Sequence, residues 1–112
     1  MPRFAILAHD WPAPHLDLLL EAGPVLRAWR LWGEPGAATI PAEPNVGHRA
    51  LYLDYEGPVS GGRGAVARWD AGTFEWVEDG AGRVVVDLTG AKLAGRFVLL
   101  GGAGGWMFGP SS

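Results

Sequence analysis

Two histidines and an aspartate sit close together in the run His9-Asp10-Trp11-Pro12-Ala13-Pro14-His15-Leu16-Asp17-Leu18-Leu19-Leu20-Glu21. Imidazole nitrogens and a carboxylate oxygen form a donor set suited to Mn²⁺, Fe²⁺ or Zn²⁺, and three protein ligands leave positions open for water or substrate. Such a centre polarises an ester oxygen or makes a bound water acidic. The chain has no cysteine, so thiolate zinc, iron–sulfur clusters, disulfides and a cysteine nucleophile are all excluded. Any metal must rest on histidine and carboxylate. The third histidine, His48, stands apart, ahead of Tyr52 in Gly47-His48-Arg49-Ala50-Leu51-Tyr52-Leu53-Asp54-Tyr55-Glu56-Gly57.

For His9, His15 and Asp17 to converge, the chain must leave one strand and return along the next. Residues His15 to Glu21 read as a strand, on which His15, Asp17, Leu19 and Glu21 share one face while Leu16, Leu18 and Leu20 share the other. Pro12 and Pro14 stiffen the connection, so His9 at the end of a strand from Arg3 to Ala8 can return beside His15. The same His-x-Asp spacing is also that of a plain solvated strand face, and the pattern alone leaves both readings open.

Eighteen glycines and nine prolines interrupt the sequence too often for long amphipathic helices. Further strands are expected at Val25 to Trp32, Ala65 to Trp69, Thr73 to Val77, Arg83 to Leu88, Arg96 to Leu100 and Trp106 to Phe108. Turn signals separate them at Ala22-Gly23-Pro24, Asp70-Ala71-Gly72, Asp79-Gly80-Ala81-Gly82 and Gly101 to Gly105. This spacing predicts an all-β fold, a small closed or nearly closed antiparallel β-barrel with short helical turns, built as a single domain over residues 1–112. The proline- and alanine-rich stretch Gly33 to Gly47 reads as a long surface loop. Trp29, Trp69, Trp76 and Phe97 are expected in packing, and Trp11 is open to a role at the site.

Nine basic residues against twelve acidic ones give a net charge of −3, which argues against nucleic-acid binding by bulk electrostatics. Every basic residue except Lys92 is arginine. No apolar run reaches the ~18 residues of a membrane span, and Met-Pro-Arg-Phe lacks the layout of a signal peptide, so a cytoplasmic location without membrane partners is expected.

Taken in order, Arg3 to Ile6, His9 to Glu21, Trp29, His48 to Gly57, Gly62 to Thr73 and Leu93 to Leu99 form a pattern that resembles the 3′-phosphoesterase domain of bacterial DNA ligase D, which also occurs as a freestanding protein. The resemblance implies a β-barrel with a Mn²⁺-dependent activity that trims a ribonucleoside and then a phosphate from DNA 3′ ends. It implies His9, His15 and Asp17 as metal ligands, with Mn²⁺ ahead of Zn²⁺ or Fe²⁺. His48 and Tyr52 would face the phosphate, and Glu21 falls on the family's acidic position at the end of the strand. The implied partners are a nucleic-acid 3′ end or a smaller phosphoester and a DNA repair ligase or polymerase.

The sequence departs from the family where the phosphate is held. Leu19 stands where the family has an arginine two residues after the ligand aspartate. The Gly33 to Gly47 stretch, where a second arginine and a lysine would fall, has no basic residue. Val46 and Leu7 replace an acidic residue and a glutamine. Strand alternation puts position 19 on the side of His15 and Asp17, so an arginine introduced there is expected to restore a phosphate contact. Arg30, Arg49 and Arg63 are the cations able to replace it from elsewhere. Two readings follow: a metal-dependent phosphoesterase with a weakened clamp, or a non-catalytic relative that binds a metal or a nucleic-acid end.

Overall fold

The computed structural model describes residues 1–45 and 50–111. Among the described residues nine strands make one antiparallel sheet: β1 (Arg3–His9), β2 (His15–Glu21), β3 (Leu26–Leu31), β4 (Ile40–Pro44), β5 (Gly57–Pro58), β6 (Ala65–Asp79), β7 (Arg83–Gly90), β8 (Ala94–Gly102) and β9 (Gly105–Pro110). One 3₁₀ turn, Ala50–Leu53, precedes β5. The order is β1-β2-β3-β4-β9-β8-β7-β6-β5, and β1 also pairs with β6, so the sheet closes into a ring as expected. Closure gives every strand but β5 a neighbour on both sides along at least part of its length, which limits the edge open to aggregation.

Alternation fills the ring. Phe4 and Ile6 of β1, Leu18 and Leu20 of β2, Trp29 and Leu31 of β3, Phe97 and Leu99 of β8 and Phe108 of β9 belong to one buried cluster. Trp69 and Trp76 pack against it from partly buried positions, and Phe97 stacks on Phe108 with centroids 5.3 Å apart.

The opposite face of β1, β2 and β3 is also covered. Ala5, Leu7, Leu19, Leu26 and Ala28 form a second buried cluster with Leu53 and Val66, flanked by Tyr52, Tyr55 and Val59. The segment from the 3₁₀ turn to β6 therefore lies over this outer face. Its residues follow no strand period, so the sequence gives no sign that they form a layer.

Two expectations are corrected. The stretch Gly33 to Gly47 contains β4, whose Ile40 and Ala42 point into the core between β3 and β9. Its prolines disguise it, because proline gives no N–H to a ladder and normally demotes a strand. The expected turn at Asp70-Ala71-Gly72 is instead the middle of β6, which pairs first with β1 and then with β7. The Asp70 carboxylate serves a different turn: Oδ1 accepts from the backbone N–H groups of Ala71, Ala91 and Lys92, and Oδ2 accepts from Leu93. Gly72 lets the strands meet, since a Cβ there would lie 2.0 Å from the Thr89 carbonyl oxygen.

Asp70 is buried and satisfies three amides at the β7–β8 connection and that of Ala71 on its own strand. Asp70→Ala strands those donors and is expected to cost on the order of 3 kcal/mol. Urea unfolding of the two proteins measures it; a difference below about 1 kcal/mol would show that water replaces the carboxylate at little cost.

Candidate metal centre and its cavities

Two adjacent strands build the cluster. β1 ends on His9 and β2 begins on His15, and the antiparallel register sets these two residues opposite each other. Asp17 follows two positions along β2 on the same face. One ligand atom from each of His9, His15 and Asp17 lies within 4.8 Å of the others. The side chains thus converge as the alternation of His15 to Glu21 predicts, but on the outer face of the ring, beneath the covering segment.

Each imidazole is fixed by its far nitrogen. His15 Nδ1–H donates to the Ala13 carbonyl at 2.7 Å, and His9 Nε2–H donates to the Arg63 carbonyl at 2.8 Å. A carbonyl can only accept, so neutral rings present bare His15 Nε2 and His9 Nδ1 to the aspartate. His15 Nε2 lies 3.2 Å from Asp17 Oδ1, and His9 Nδ1 lies 3.5 Å from Asp17 Oδ2. Two ligand atoms at right angles, each roughly 2.1 Å from an ion, are about 3 Å apart, so these separations suit a shared cation. Carbonyl groups that orient the outer ring nitrogen are the usual support of metal-bound histidine.

Polar satisfaction supports the same fit. Among the described residues, the buried side-chain atoms without a hydrogen-bond partner are His15 Nε2, Asp17 Oδ1, Arg30 Nε and Trp29 Nε1. Three of these belong to neighbouring residues on β2 and β3. Buried polar atoms are ordinarily paired, so unpartnered atoms gathered on adjacent strands suit a bound ligand.

The Arg63 carbonyl reaches His9 because Gly64 allows a close crossing. Gly64 has φ +73°, and a Cβ there would lie 2.1 Å from Asp10 Oδ1 and 2.7 Å from Trp11 Cβ. Asp10 Oδ1 accepts from Ala65 N–H at 2.9 Å, tying the β1–β2 connection to the start of β6. Gly64→Ala is therefore expected to weaken metal binding several-fold through His9, a change readable by calorimetric titration, with His15 and Asp17 untouched.

A cavity of about 210 Å³ opens beside the cluster, lined by His9, Asp17, Arg30, Asn45, Tyr52 and Arg63 among others. Trp11 also borders it while remaining exposed. A wider, more apolar groove of about 600 Å³ lies on the other side of His9 and includes His15, Leu16, Leu31 and Trp69 in its walls. His9 lines both spaces.

Arg30 stands directly opposite Asp17 in the β2–β3 register. Its Nη1 is 3.9 Å from Glu43 Oε1, and its guanidinium lies 5.6 Å from the Trp32 ring centroid. Arg63 donates from Nε and Nη2 to Ser60.

The other expected residues fall in three places. Tyr52 is at the cavity. His48 lies outside the described residues, as do Val46 and Arg49. Glu21 is not brought to the cluster: it ends β2 at the far side, where Oε1 accepts from the Arg3 backbone N–H. Leu19 does share the face of Asp17, yet it is fully buried in the second apolar cluster. Asn45 was not singled out from the sequence, and neither were the Ala13 and Arg63 carbonyls, since backbone acceptors leave no mark in residue types.

Comparison with known proteins agrees with the motif order. Residues 7–101 match the family described as the DNA Ligase D 3′-phosphoesterase domain. The multifunctional non-homologous end joining DNA repair protein LigD of Mycobacterium tuberculosis is 30% identical over 87% of this chain. The multifunctional non-homologous end joining protein LigD of Mycobacterium bovis matches to the same extent. The chain spans 14% of the length of these relatives.

Proposed function

The chain belongs to the DNA ligase D 3′-phosphoesterase domain family, and from that premise we propose that it is a metal-dependent phosphoesterase that trims nucleic-acid 3′ ends in DNA repair. The observation that carries the reading is the convergence of His9, His15 and Asp17 within 4.8 Å, with His15 Nε2 and Asp17 Oδ1 buried and without a hydrogen-bond partner. These residues hold one divalent ion, Mn²⁺ in the first instance. Zn²⁺ binds such a set more tightly by the usual order of affinities, so the choice between them, and Fe²⁺, follows availability. When bound, the ion supplies Lewis acidity toward a phosphoryl oxygen and toward water.

The protein's own groups do the rest. The smaller cavity receives the phosphate, where Tyr52 offers a hydroxyl to its oxygens. His48, by its place in the family pattern, would protonate the leaving oxygen. The covering segment from Tyr52 to Arg63 walls the cavity and limits the water around it, which strengthens each charge–dipole contact there. The product is a 3′-hydroxyl end, the end a repair polymerase or ligase requires. The same reading places the protein in the cytoplasm; among the described residues no helix is long and apolar enough to cross a membrane.

A second reading draws on Leu19. With an apolar residue sealed beneath the cover where the family has arginine, the chain would hold a metal and a nucleic-acid end without turnover. One assay separates the two: release of inorganic phosphate from an oligonucleotide with a 3′-phosphate, with Mn²⁺ and with chelator. Chelator-sensitive release that disappears in His9→Ala is the expected result. Intact Mn²⁺ binding with no release leaves only the binding reading.

A further inference from the structure

We propose that Arg30 is the phosphate-holding cation of this site, presented from β3 in place of the arginine that β2 lacks at position 19; this rests on the reading that the site takes a phosphoester. Opposed residues on antiparallel neighbours stand side by side on one face of the sheet. The Asp17–Arg30 register therefore places Arg30 beside Asp17 on the face of the sheet that carries the cluster. Both residues line the smaller cavity.

The donors of Arg30 are unspent. Nε is buried with no hydrogen-bond partner, and the Glu43 contact at 3.9 Å is too long for a hydrogen bond. Trp32, just past the end of β3, lies near its guanidinium at 5.6 Å and favours one orientation of the plane. Arg63, the other described arginine at the cavity, already donates to Ser60 through Nε and Nη2. Of the remaining described arginines, Arg3 pairs with Asp54, Arg27 with Asp79, Arg83 with Glu78 and Arg96 with Asp87, while Arg68, 4.0 Å from Glu56, lines a different cavity. Arg30 is thus the described arginine whose fork is open to a phosphate beside the cluster, and a fork of parallel N–H donors matches two phosphoryl oxygens.

The position on β3 also accounts for Leu19. The outer face of β2 at position 19 is sealed by Leu53 and its neighbours, so the anion is held from the adjacent strand and the covering layer can close over β2. Glu43, exposed at the rim, competes weakly for the same guanidinium.

The test uses the full chain and inorganic phosphate as probe, with and without Mn²⁺. Phosphate is expected to raise the thermal midpoint of the wild type in both states. Arg30→Gln should need at least ten times more phosphate for the same rise, while its Mn²⁺ affinity stays within about threefold. Arg30→Lys, which keeps the charge and loses the fork, should fall between them. Glu43→Gln, which removes the competitor, should need less phosphate than the wild type. On 3′-phosphate DNA, Arg30→Gln should lower kcat/KM by about 10²–10³.

No phosphate response in the wild type overturns the proposal, and so does an equal response in Arg30→Gln. Should Arg30→Gln fail to fold, unchanged responses in Arg30→Lys and Glu43→Gln overturn it instead. An Arg30-dependent response in a protein that releases no phosphate from DNA supports the anion site and refutes the catalytic reading alone.

Discussion

His15→Ala is expected to lower divalent-metal affinity by on the order of 10²–10³-fold, enough to remove binding at micromolar Mn²⁺. The His15 side chain is wholly inaccessible, with Nδ1 committed to the Ala13 carbonyl and Nε2 aimed at Asp17. No rotation of a neighbour can bring a replacement donor to that point, because Leu16 faces the ring interior and Pro14 has no donor to offer. Calorimetric titration with Mn²⁺ and with Zn²⁺ measures the effect, and circular dichroism shows whether the sheet survives. Equal affinities in the two proteins would remove the proposed centre. The His15→Gln variant keeps volume and polarity, so its failure to bind would separate loss of a ligand from loss of packing.

Leu19→Arg is expected to destabilise the protein by about 3–5 kcal/mol and to restore no phosphate contact. Strand alternation by itself argues for a gain, since position 19 follows His15 and Asp17 on one face. The structure reverses that expectation: Leu19 is 0% exposed and belongs to a cluster with Ala5 and Leu7 from β1, Leu26 and Ala28 from β3, and Leu53 from the cover. A guanidinium there would be desolvated among the apolar side chains of that cluster. Its alternative is to lift the covering segment, which forfeits the second cluster and opens the cavity to water. Urea unfolding gives the stability difference, and the 3′-phosphate assay gives the activity. A folded Leu19→Arg protein with faster release would show that the cover yields and that the missing arginine was the defect.

The parts of this molecule that were legible from sequence are those whose geometry is local. The ligand cluster depends on a two-residue period in His15 to Glu21 and on a proline-stiffened return, and both are visible in the order of residues. The ring follows from turn signals between short strands, although β4 hides behind Pro41 and Pro44. The Asp70-Ala71-Gly72 signal misleads because Asp70 caps the backbone of residues 91–93, which only the β6–β7 pairing brings near. The outer position of the site was not legible. It is set by Tyr52, Leu53, Tyr55 and Val59 lying over β1–β3, and side chains in an irregular segment carry no period to read. Among Arg30, Arg49 and Arg63 the sequence offers no choice, and the register that sets Arg30 opposite Asp17 is a long-range pairing.

The β1–β2 hairpin that carries all three proposed ligands differs from the β1–β6 seam in how far apart its partners lie along the chain. His9 meets His15 across a short connection, whereas the seam brings Arg3 beside Thr73. Closing a long loop costs chain entropy before its contacts repay it, so pairings distant in sequence form slowly. The hairpin can assemble first, carrying the donor set before the ring or its cover exists. A divalent ion engaged at that stage would pin β1 against β2 in the correct register and template the slower closure. It would also bind the incompletely folded chain, so excess metal would raise the apparent stability by less than its affinity for the finished protein implies.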